Sequence, residues 1–286
     1  MKSIQATGHA DLVHGPDGNW WAVFLGIRPV GYPNRHHLGR ETCLAPVAWT
    51  EDAWPVIGDN GTLNEKMLAG NLPLQSPTIR AARDDFEETT LAPCWNFLRS
   101  PDPRNWSLAE KQGFLTLYGS EATLNETGVP AFVGRRQQHF SFQATAYLTF
   151  APERDGEEAG IAVYMNERFH YELAIVRIAG TRKLIFRRRL GTLWTIENEM
   201  PWSAASIVLS VRADKSNYVF GFARNEEDEP VPFGLGECGM LATEVAGGFT
   251  GVFIAMYATG NGARSLTPAY FDWMDYQVSE QTDGGE

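Results

Sequence analysis

The chain has 286 residues, which is enough for one large domain or two modest ones with cores of their own. Hydrophobic residues make up 43% of the sequence and charged residues 21%, a balance typical of a globular protein and not of a disordered one. The formal net charge of -11 disfavours negatively charged partners, so we expect binding neither to nucleic acid nor to an anionic membrane surface.

The three cysteines (Cys43, Cys94 and Cys238) are far apart and odd in number. Their spacing predicts neither a disulfide framework nor a Cys-x-x-Cys metal site. No apolar stretch is long enough to span a bilayer, and residues 1–10 lack the apolar core of a secretory signal peptide. Together these features slightly favour a cytoplasmic location.

The first part of the chain has the pattern of short β-strands separated by turns. Strands are predicted at residues 9–14, 19–26, 41–49 and 54–57. The first two are joined by Gly15-Pro16-Asp17-Gly18, a strong turn signal. Residues from about 62 to 83 lack periodicity and contain Pro73 and Pro77, which predicts a linker.

The second part continues the β pattern, with no convincing long helix. His139–Phe150 alternates between apolar and polar residues, as expected for a strand with one face in a core. Strands are predicted at residues 114–118, 131–136, 138–150, 159–166, 169–178, 182–190, 205–213, 217–223, 250–258 and 269–278. So many strands at this spacing predict a two-sheet sandwich.

Several separated motifs occur in an order that resembles one known family. In the first part these are Gly8-His9-Ala10-Asp11, Gly18-Asn19-Trp20-Trp21 and Leu38-Gly39-Arg40-Glu41-Thr42. In the second part they begin at Ala131-Phe132-Val133, Gly247-Gly248-Phe249, Tyr257-Ala258-Thr259 and Ala269-Tyr270-Phe271. The whole chain therefore resembles the C-terminal part of family 43 glycoside hydrolases of the β-xylosidase and α-L-arabinofuranosidase type.

The resemblance implies an all-β fold, in which an incomplete β-propeller remnant is followed by a concanavalin-like, jelly-roll type β-sandwich. The remnant of the last propeller blade is expected at residues 1–70 and a linker at 71–83. The sandwich is expected at 84–280, followed by a polar tail at 281–286.

The same resemblance implies three sugar-binding residues: His9, Arg40 and Phe249. In the family, the histidine lies beside the sugar pocket, the arginine reaches into it and the aromatic ring narrows it. Taken alone, these residues also fit a histidine at a strand start, a surface ion pair and ordinary core packing. Asp11 is two residues after His9, so on a regular strand it projects to the same face. Two roles fit Asp11: it orients the imidazole, or it is a solvated turn residue, and the second is slightly favoured.

Catalysis in this family needs a general acid and a general base on opposite sides of the scissile bond. The family supplies an aspartate base from the first blade, a second aspartate, and a glutamate acid from the middle blades. None of those motifs occurs in this sequence, so we assign no catalytic residue. No cofactor is required, but a structural calcium ion is allowed where the sandwich begins and ends. Asp85 and Asp272 are its expected oxygen ligands.

Two functions remain open at this stage. The first is a non-catalytic module that binds xylan or xylo-oligosaccharides, with aromatic side chains as conceivable contributors: Tyr147, Tyr164, Tyr171, Trp194 and Trp202. The alternative is a glycoside hydrolase active on xylosides or arabinofuranosides, with carboxylates supplied by an oligomer partner or by a non-standard site. Apolar side chains on both faces of the remnant predict a homo-oligomer that associates through the remnant.

Overall fold

The computed structural model describes residues 2–68, 70–73 and 82–279. Within those residues the protein is all-β, and helix is confined to two single turns, Cys238–Leu241 (3-10) and Thr243–Ala246 (α1). The all-β prediction is therefore confirmed. Most of the predicted linker (residues 74–81) and the whole polar tail at 281–286 lie outside the described residues.

The N-terminal unit is a four-stranded antiparallel sheet that runs as a meander, which is the form of a propeller blade. Its strands are β1 (Gln5–His14), β2 (Trp20–Ile27), β3 (Glu41–Trp49) and β4 (Pro55–Ile57). Ala22, Phe24 and Ala45 form its small core, against which Leu63 and Met67 also pack.

This blade leaves part of its apolar surface exposed. Trp21 and Phe24 are buried within the unit. The side chains that are exposed by 37–51% are Leu12, Val13, Trp20, Val23, Leu44 and Trp49. These positions lie on strands whose neighbours in a complete propeller would be further blades.

The second unit contains the other fourteen strands. These are β5 (Arg83–Asp84), β6 (Trp106–Ser107), β7 (Leu115–Tyr118), β8 (Ala131–Arg136), β9 (Phe142–Thr149), β10 (Glu158–Asn166), β11 (Phe169–Ile178), β12 (Thr181–Leu190), β13 (Leu193–Pro201), β14 (Ser206–Ala213), β15 (Asn217–Ala223), β16 (Val231–Glu237), β17 (Phe253–Thr259) and β18 (Pro268–Val278).

These strands form a two-sheet sandwich, as predicted. One sheet has the order β13-β12-β11-β10-β17-β8, and the other has the order β16-β15-β14-β9-β18-β7-β6, with β5 paired to β18. Side chains from both sheets share one core, and its largest fully buried members include Tyr171, Tyr218, Phe142, Phe186, Phe220 and Phe271. In β9 the burial alternates residue by residue, because a strand presents successive side chains to opposite faces.

Four strands were missed by the sequence analysis: the two-residue strands β5 and β6, and the longer strands β13 and β16. Strands β13 and β16 each lie at the edge of a sheet, where one side of the strand has no neighbouring strand. Edge strands carry charged residues, glycine and proline more often than central ones, so their hydrophobic alternation is weak. Glu197 and Glu199 in β13, and Pro232 and Gly234 in β16, follow that rule.

Candidate functional site

A cleft of about 540 Å³ lies where the blade meets the sandwich. The blade contributes Leu38 and residues 40–42 to its lining, and the sandwich contributes residues 136–138 and 249–251. The cleft therefore depends on how two separate units of the fold are held together.

Arg40 and Phe249, two of the three residues predicted to bind sugar, meet at this cleft. The guanidinium carbon of Arg40 lies 4.8 Å from the centroid of the Phe249 ring, within the range of a cation–π contact. The Arg40 Nε–H also donates a long hydrogen bond, 3.4 Å, to the backbone carbonyl of Phe249. Phe249 is 72% exposed, so most of its ring surface is open to a ligand.

Glycines explain why the backbone brings these two residues together. Helix α1 ends before Gly247, and Gly247 and Gly248 have φ values of 78° and 87°, which L side chains rarely adopt. On the blade side, Gly39 has a φ of 80°, and a Cβ there would lie 2.2 Å from the backbone nitrogen of Gly251. The two chain segments thus approach more closely than any side chain at residue 39 would allow.

The single carboxylate among the described residues that line the cleft is Glu41, and it is already neutralised. Its two oxygens accept hydrogen bonds of 2.9 and 2.8 Å from Nε and Nη2 of Arg28. The hydrogen bond to Glu41, which outweighs the opposing effect of burial, raises the pKa of Arg28. A glycosidase acid–base pair needs two free carboxyl groups, so the described lining does not by itself supply that pair.

Two residues from the sandwich complete the wall. Arg136 donates a hydrogen bond to the carbonyl of Gly251 and lies over the ring of Phe253 at 3.7 Å. Burial lowers the pKa of Arg136. The backbone N–H of Gln137 donates to the carbonyl of Val252 at 2.9 Å.

His9 and Asp11 lie on β1, and neither belongs to the described lining of this cleft. His9 has a φ of 50°, and the register between β1 and β2 shifts between Gly8 and Asp11. Such a bulge redirects side chains, so the simple alternation that would place His9 and Asp11 on one face does not apply here. No hydrogen bond joins the two side chains in the described part of the chain, and their role in sugar binding stays a prediction.

Both expected calcium ligands, Asp85 and Asp272, lie in the described part of the chain. Asp85 pairs with Arg83 at 2.6 Å, and burial, together with the charge of Glu226, raises the pKa of Asp272. Among residues 2–68, 70–73 and 82–279, no group of three or more His, Cys, Asp or Glu side chains is arranged to hold a metal ion. Calcium binding by Asp85 and Asp272 therefore stays a prediction.

Most of the aromatic residues named as conceivable sugar contacts belong to the core. Tyr164, Tyr171 and Trp202 are buried, whereas Trp194 on edge strand β13 is 49% exposed. In the part of the chain that the structure describes, the helices are too short to cross a membrane.

The sequence analysis missed four residues whose contacts hold the cleft together: His36, His37, Arg136 and Glu244. Glu244 Oε1 lies 2.6 Å from Nδ1 of His36, and the carbonyl of His37 accepts a hydrogen bond from the N–H of Val252. His36 and His37 immediately precede the Leu-Gly-Arg-Glu-Thr motif, so their position was a usable signal. No local sequence pattern signals the role of Glu244, because its partner, His36, is 208 positions away in the sequence.

Two known protein families match most of the chain. Residues 83–277 match the family described as "Beta xylosidase C-terminal Concanavalin A-like domain". Residues 1–55 match "Glycosyl hydrolases family 43".

Curated relatives extend this likeness along almost the whole chain. The chain is 42% identical over 276 residues to "Non-reducing end alpha-L-arabinofuranosidase BoGH43B" of Bacteroides ovatus, covering 96% of this chain and 51% of that protein. It is 32% identical over 284 residues to "Xylosidase/arabinosidase" of Butyrivibrio fibrisolvens, covering 96% of this chain and 52% of that protein. The chain thus spans about half the length of these curated relatives.

Solved structures agree with the sequence comparison. The Bacteroides ovatus xyloglucan-locus GH43B structure superposes with a TM-score of 0.89 at 41% identity, covering 97% of this chain and 55% of that chain. The GH43 protein BlXynB of Bacillus licheniformis gives a TM-score of 0.91 at 30% identity, covering 97% of this chain and 54% of that chain.

Proposed function

The chain belongs to glycoside hydrolase family 43, and from that premise we propose that it forms one wall of a pocket for xylose or arabinose units. Its ligands in this proposal are xylan or xylo-oligosaccharides, and the described residues bind sugar without cleaving it. The observation that carries the proposal is the pairing of Arg40 with Phe249 beside a carboxylate, Glu41, that Arg28 already neutralises.

The chemistry of the two side chains suits a neutral sugar. A guanidinium presents a rigid fork of N–H donors, and neighbouring sugar hydroxyls are acceptors at matching spacing. The exposed Phe249 ring offers a flat apolar surface to the C–H face of a pyranose or furanose ring. Because the Arg40 cation lies against that ring, the polar and apolar contacts reach the same bound sugar.

An active hydrolase is the second candidate, and the names of the relatives favour it. Their names describe arabinofuranosidase and xylosidase activities, and this chain spans about half their length. In this candidate the catalytic carboxylates come from an oligomer partner that packs against the blade, or from a non-standard site.

The exposed apolar side chains of the blade, including Val13, Val23 and Leu44, are the surface for that packing. Contiguous apolar surface of this kind marks an association site in soluble proteins. We propose that two copies of this chain associate through it.

Binding and turnover are measured separately to test the proposal. The purified chain is titrated with xylobiose and with L-arabinose in a calorimeter, and is incubated with 4-nitrophenyl β-D-xyloside and α-L-arabinofuranoside. Binding without 4-nitrophenol release supports the sugar-binding function. Turnover that disappears in His9→Ala or Arg40→Ala supports the active hydrolase, and absence of both binding and turnover contradicts the two candidates alike.

A further inference from the structure

The loop that carries Phe249 is fixed to the blade at both of its ends. We name residues 243–252 the arch, and residues 36–39 of the blade the base. Contacts between the arch and the base occur at residues 243–244 and again at residues 251–252. Phe249, in the middle of the arch, contacts Arg40 of the blade.

Glu244 makes the first attachment. Its Oε2 accepts a hydrogen bond of 2.9 Å from the backbone N–H of His36, and its Oε1 lies 2.6 Å from Nδ1 of the same residue. The backbone N–H of Thr243 donates to the carbonyl of His36 at 3.1 Å. Burial raises the pKa of Glu244, but the hydrogen bonds from His36 outweigh it, and the net pKa is lowered. One carboxylate thus holds both the backbone and the side chain of one residue in the base.

The second attachment is made by the backbone. The N–H of Val252 donates to the carbonyl of His37 at 3.0 Å. A Cβ on Gly251 would lie 2.1 Å from the carbonyl oxygen of Leu38, so these segments are in direct contact. This end of the arch does not depend on a charged side chain.

Phe249 does not hold itself in place. Its ring is 72% exposed, and Thr250 and Gly248 beside it are exposed as well. A side chain this exposed gains little from packing, so its position over Arg40 depends on how the arch is held. The arch is attached to the base at both ends, and Asn166 of the sandwich donates a hydrogen bond of 2.9 Å from Nδ2 to the carbonyl of Ala246. Gly247 and Gly248 have the positive φ values that turn the chain between Glu244 and Phe249.

We propose that Glu244 is a positioning residue for the sugar pocket, which acts by holding the arch so that Phe249 faces Arg40. This inference rests on the proposed function for its effect on sugar binding, but the attachment itself is measured without a sugar. Glu244 does not line the cleft among the described residues, so it acts through Phe249 and not by contact with the ligand.

Hydrogen–deuterium exchange tests the attachment in the absence of ligand. In Glu244→Ala, exchange of the peptide covering residues 245–252 should accelerate about tenfold, as expected for the loss of a charge-assisted hydrogen bond. Glu244→Gln keeps an acceptor for the His36 N–H and should restore much of the protection. The matched control is Glu227→Ala, an exposed glutamate between β15 and β16, which should leave this peptide unchanged. Unchanged exchange in Glu244→Ala overturns the inference.

A double-mutant cycle with Phe249→Ala then tests the route to the sugar, with xylobiose as the probe. Effects of coupled residues are not additive, so the double variant should bind about as weakly as Phe249→Ala alone. Fully additive losses mean that Glu244 acts by another route and contradict the inference. If the unaltered chain binds no xylobiose, the proposed function fails, and the exchange experiment still decides whether Glu244 positions the arch.

Discussion

The guanidinium carbon of Arg40 lies 4.8 Å from the centroid of the Phe249 ring, although the two residues are 209 positions apart. One belongs to the propeller blade and the other to the sandwich. A pocket built in this way needs both units, and its geometry is set by the contacts at their junction.

Phe249→Leu should weaken xylobiose binding about fivefold. Leucine keeps an apolar side chain but removes the flat ring, whose contribution beyond its area is of order 1 kcal/mol. Calorimetric titration measures the change. The matched control is Leu266→Ala, which truncates a similarly exposed apolar side chain on another loop and should leave the affinity unaltered. Equal losses in both variants would show that the Phe249 ring has no special role.

Gly39→Ala should destabilise the protein more than Gly61→Ala. Both glycines have a φ near 80°, which costs an alanine about 1 kcal/mol. A Cβ at Gly61 meets no atom within 4 Å, whereas one at Gly39 would collide with Gly251, at a further cost of about 1–3 kcal/mol. Urea unfolding gives the two free energies. Similar losses would mean that the blade and sandwich backbones are not in close contact at Gly39.

Stability should fall as the pH drops from about 6.5 towards 4, in part because of His37. Burial, with a smaller effect of the charge of His36, lowers the pKa of His37 from 6.5 to about 4. The unfolded chain takes up this proton below about pH 6.5, whereas the folded chain resists it until about pH 4. The free energy of unfolding therefore falls through that window, by up to about 3 kcal/mol from this group.

His37→Gln isolates this contribution, since glutamine does not titrate. Urea unfolding of both proteins at pH 7 and pH 4.5 should show a smaller loss for the variant than for the unaltered chain. Parallel losses would mean that the His37 imidazole is accessible to protons in the folded state.

Arg187→Met should destabilise the sandwich by about 3–5 kcal/mol, because it leaves two buried carboxylates without their cation. Arg187 Nη2 lies 2.5 Å from Oε1 of Glu158 and also contacts Glu172. The Tyr257 hydroxyl lies 2.6 and 2.8 Å from the same two carboxylates. The matched control is Arg212→Met, at an exposed position on β14, which should cost little. A loss below about 1 kcal/mol for Arg187→Met would show that the network relaxes without its arginine.

Leu44→Asp should shift the protein towards monomer in sedimentation velocity. Leu44 is 51% exposed on the blade surface through which we propose that two copies associate. Burying a carboxylate in an apolar interface is costly, so the dimer should weaken. Leu235→Asp introduces the same charge at a side chain that is 49% exposed on edge strand β16, and should leave the sedimentation unchanged. A monomeric unaltered chain, or equal effects of the two variants, contradicts association through the blade.

Local patterns in the sequence predicted the central strands well, but they missed the edge strands β13 and β16. The alternation in β9 has a direct physical cause, since its two faces meet different surroundings. In β13 most side chains are exposed on both faces, so burial imposes no period on the sequence. Burial in β10 is nearly continuous, and length and flanking turns were the useful signals there.

Only the residues of the candidate site that belong to a recognisable sequence motif could be predicted. The resemblance named Arg40 and Phe249, and the structure brings them together. The attachment of Glu244 to His36 joins residues 208 positions apart, and no local propensity encodes such a contact. The prediction that His9 and Asp11 share one face assumed a regular strand. A bulge, at which His9 has a positive φ, interrupts that alternation.

If Arg40 and Phe249 form one sugar-binding wall, xylobiose should bind about tenfold or more weakly to Arg40→Ala in a calorimetric titration, since a charged hydrogen-bond donor to the sugar is lost. The affinity should stay unchanged in Arg212→Ala, which removes an exposed arginine elsewhere on the sandwich. Equal affinity in the unaltered chain and Arg40→Ala would contradict the account.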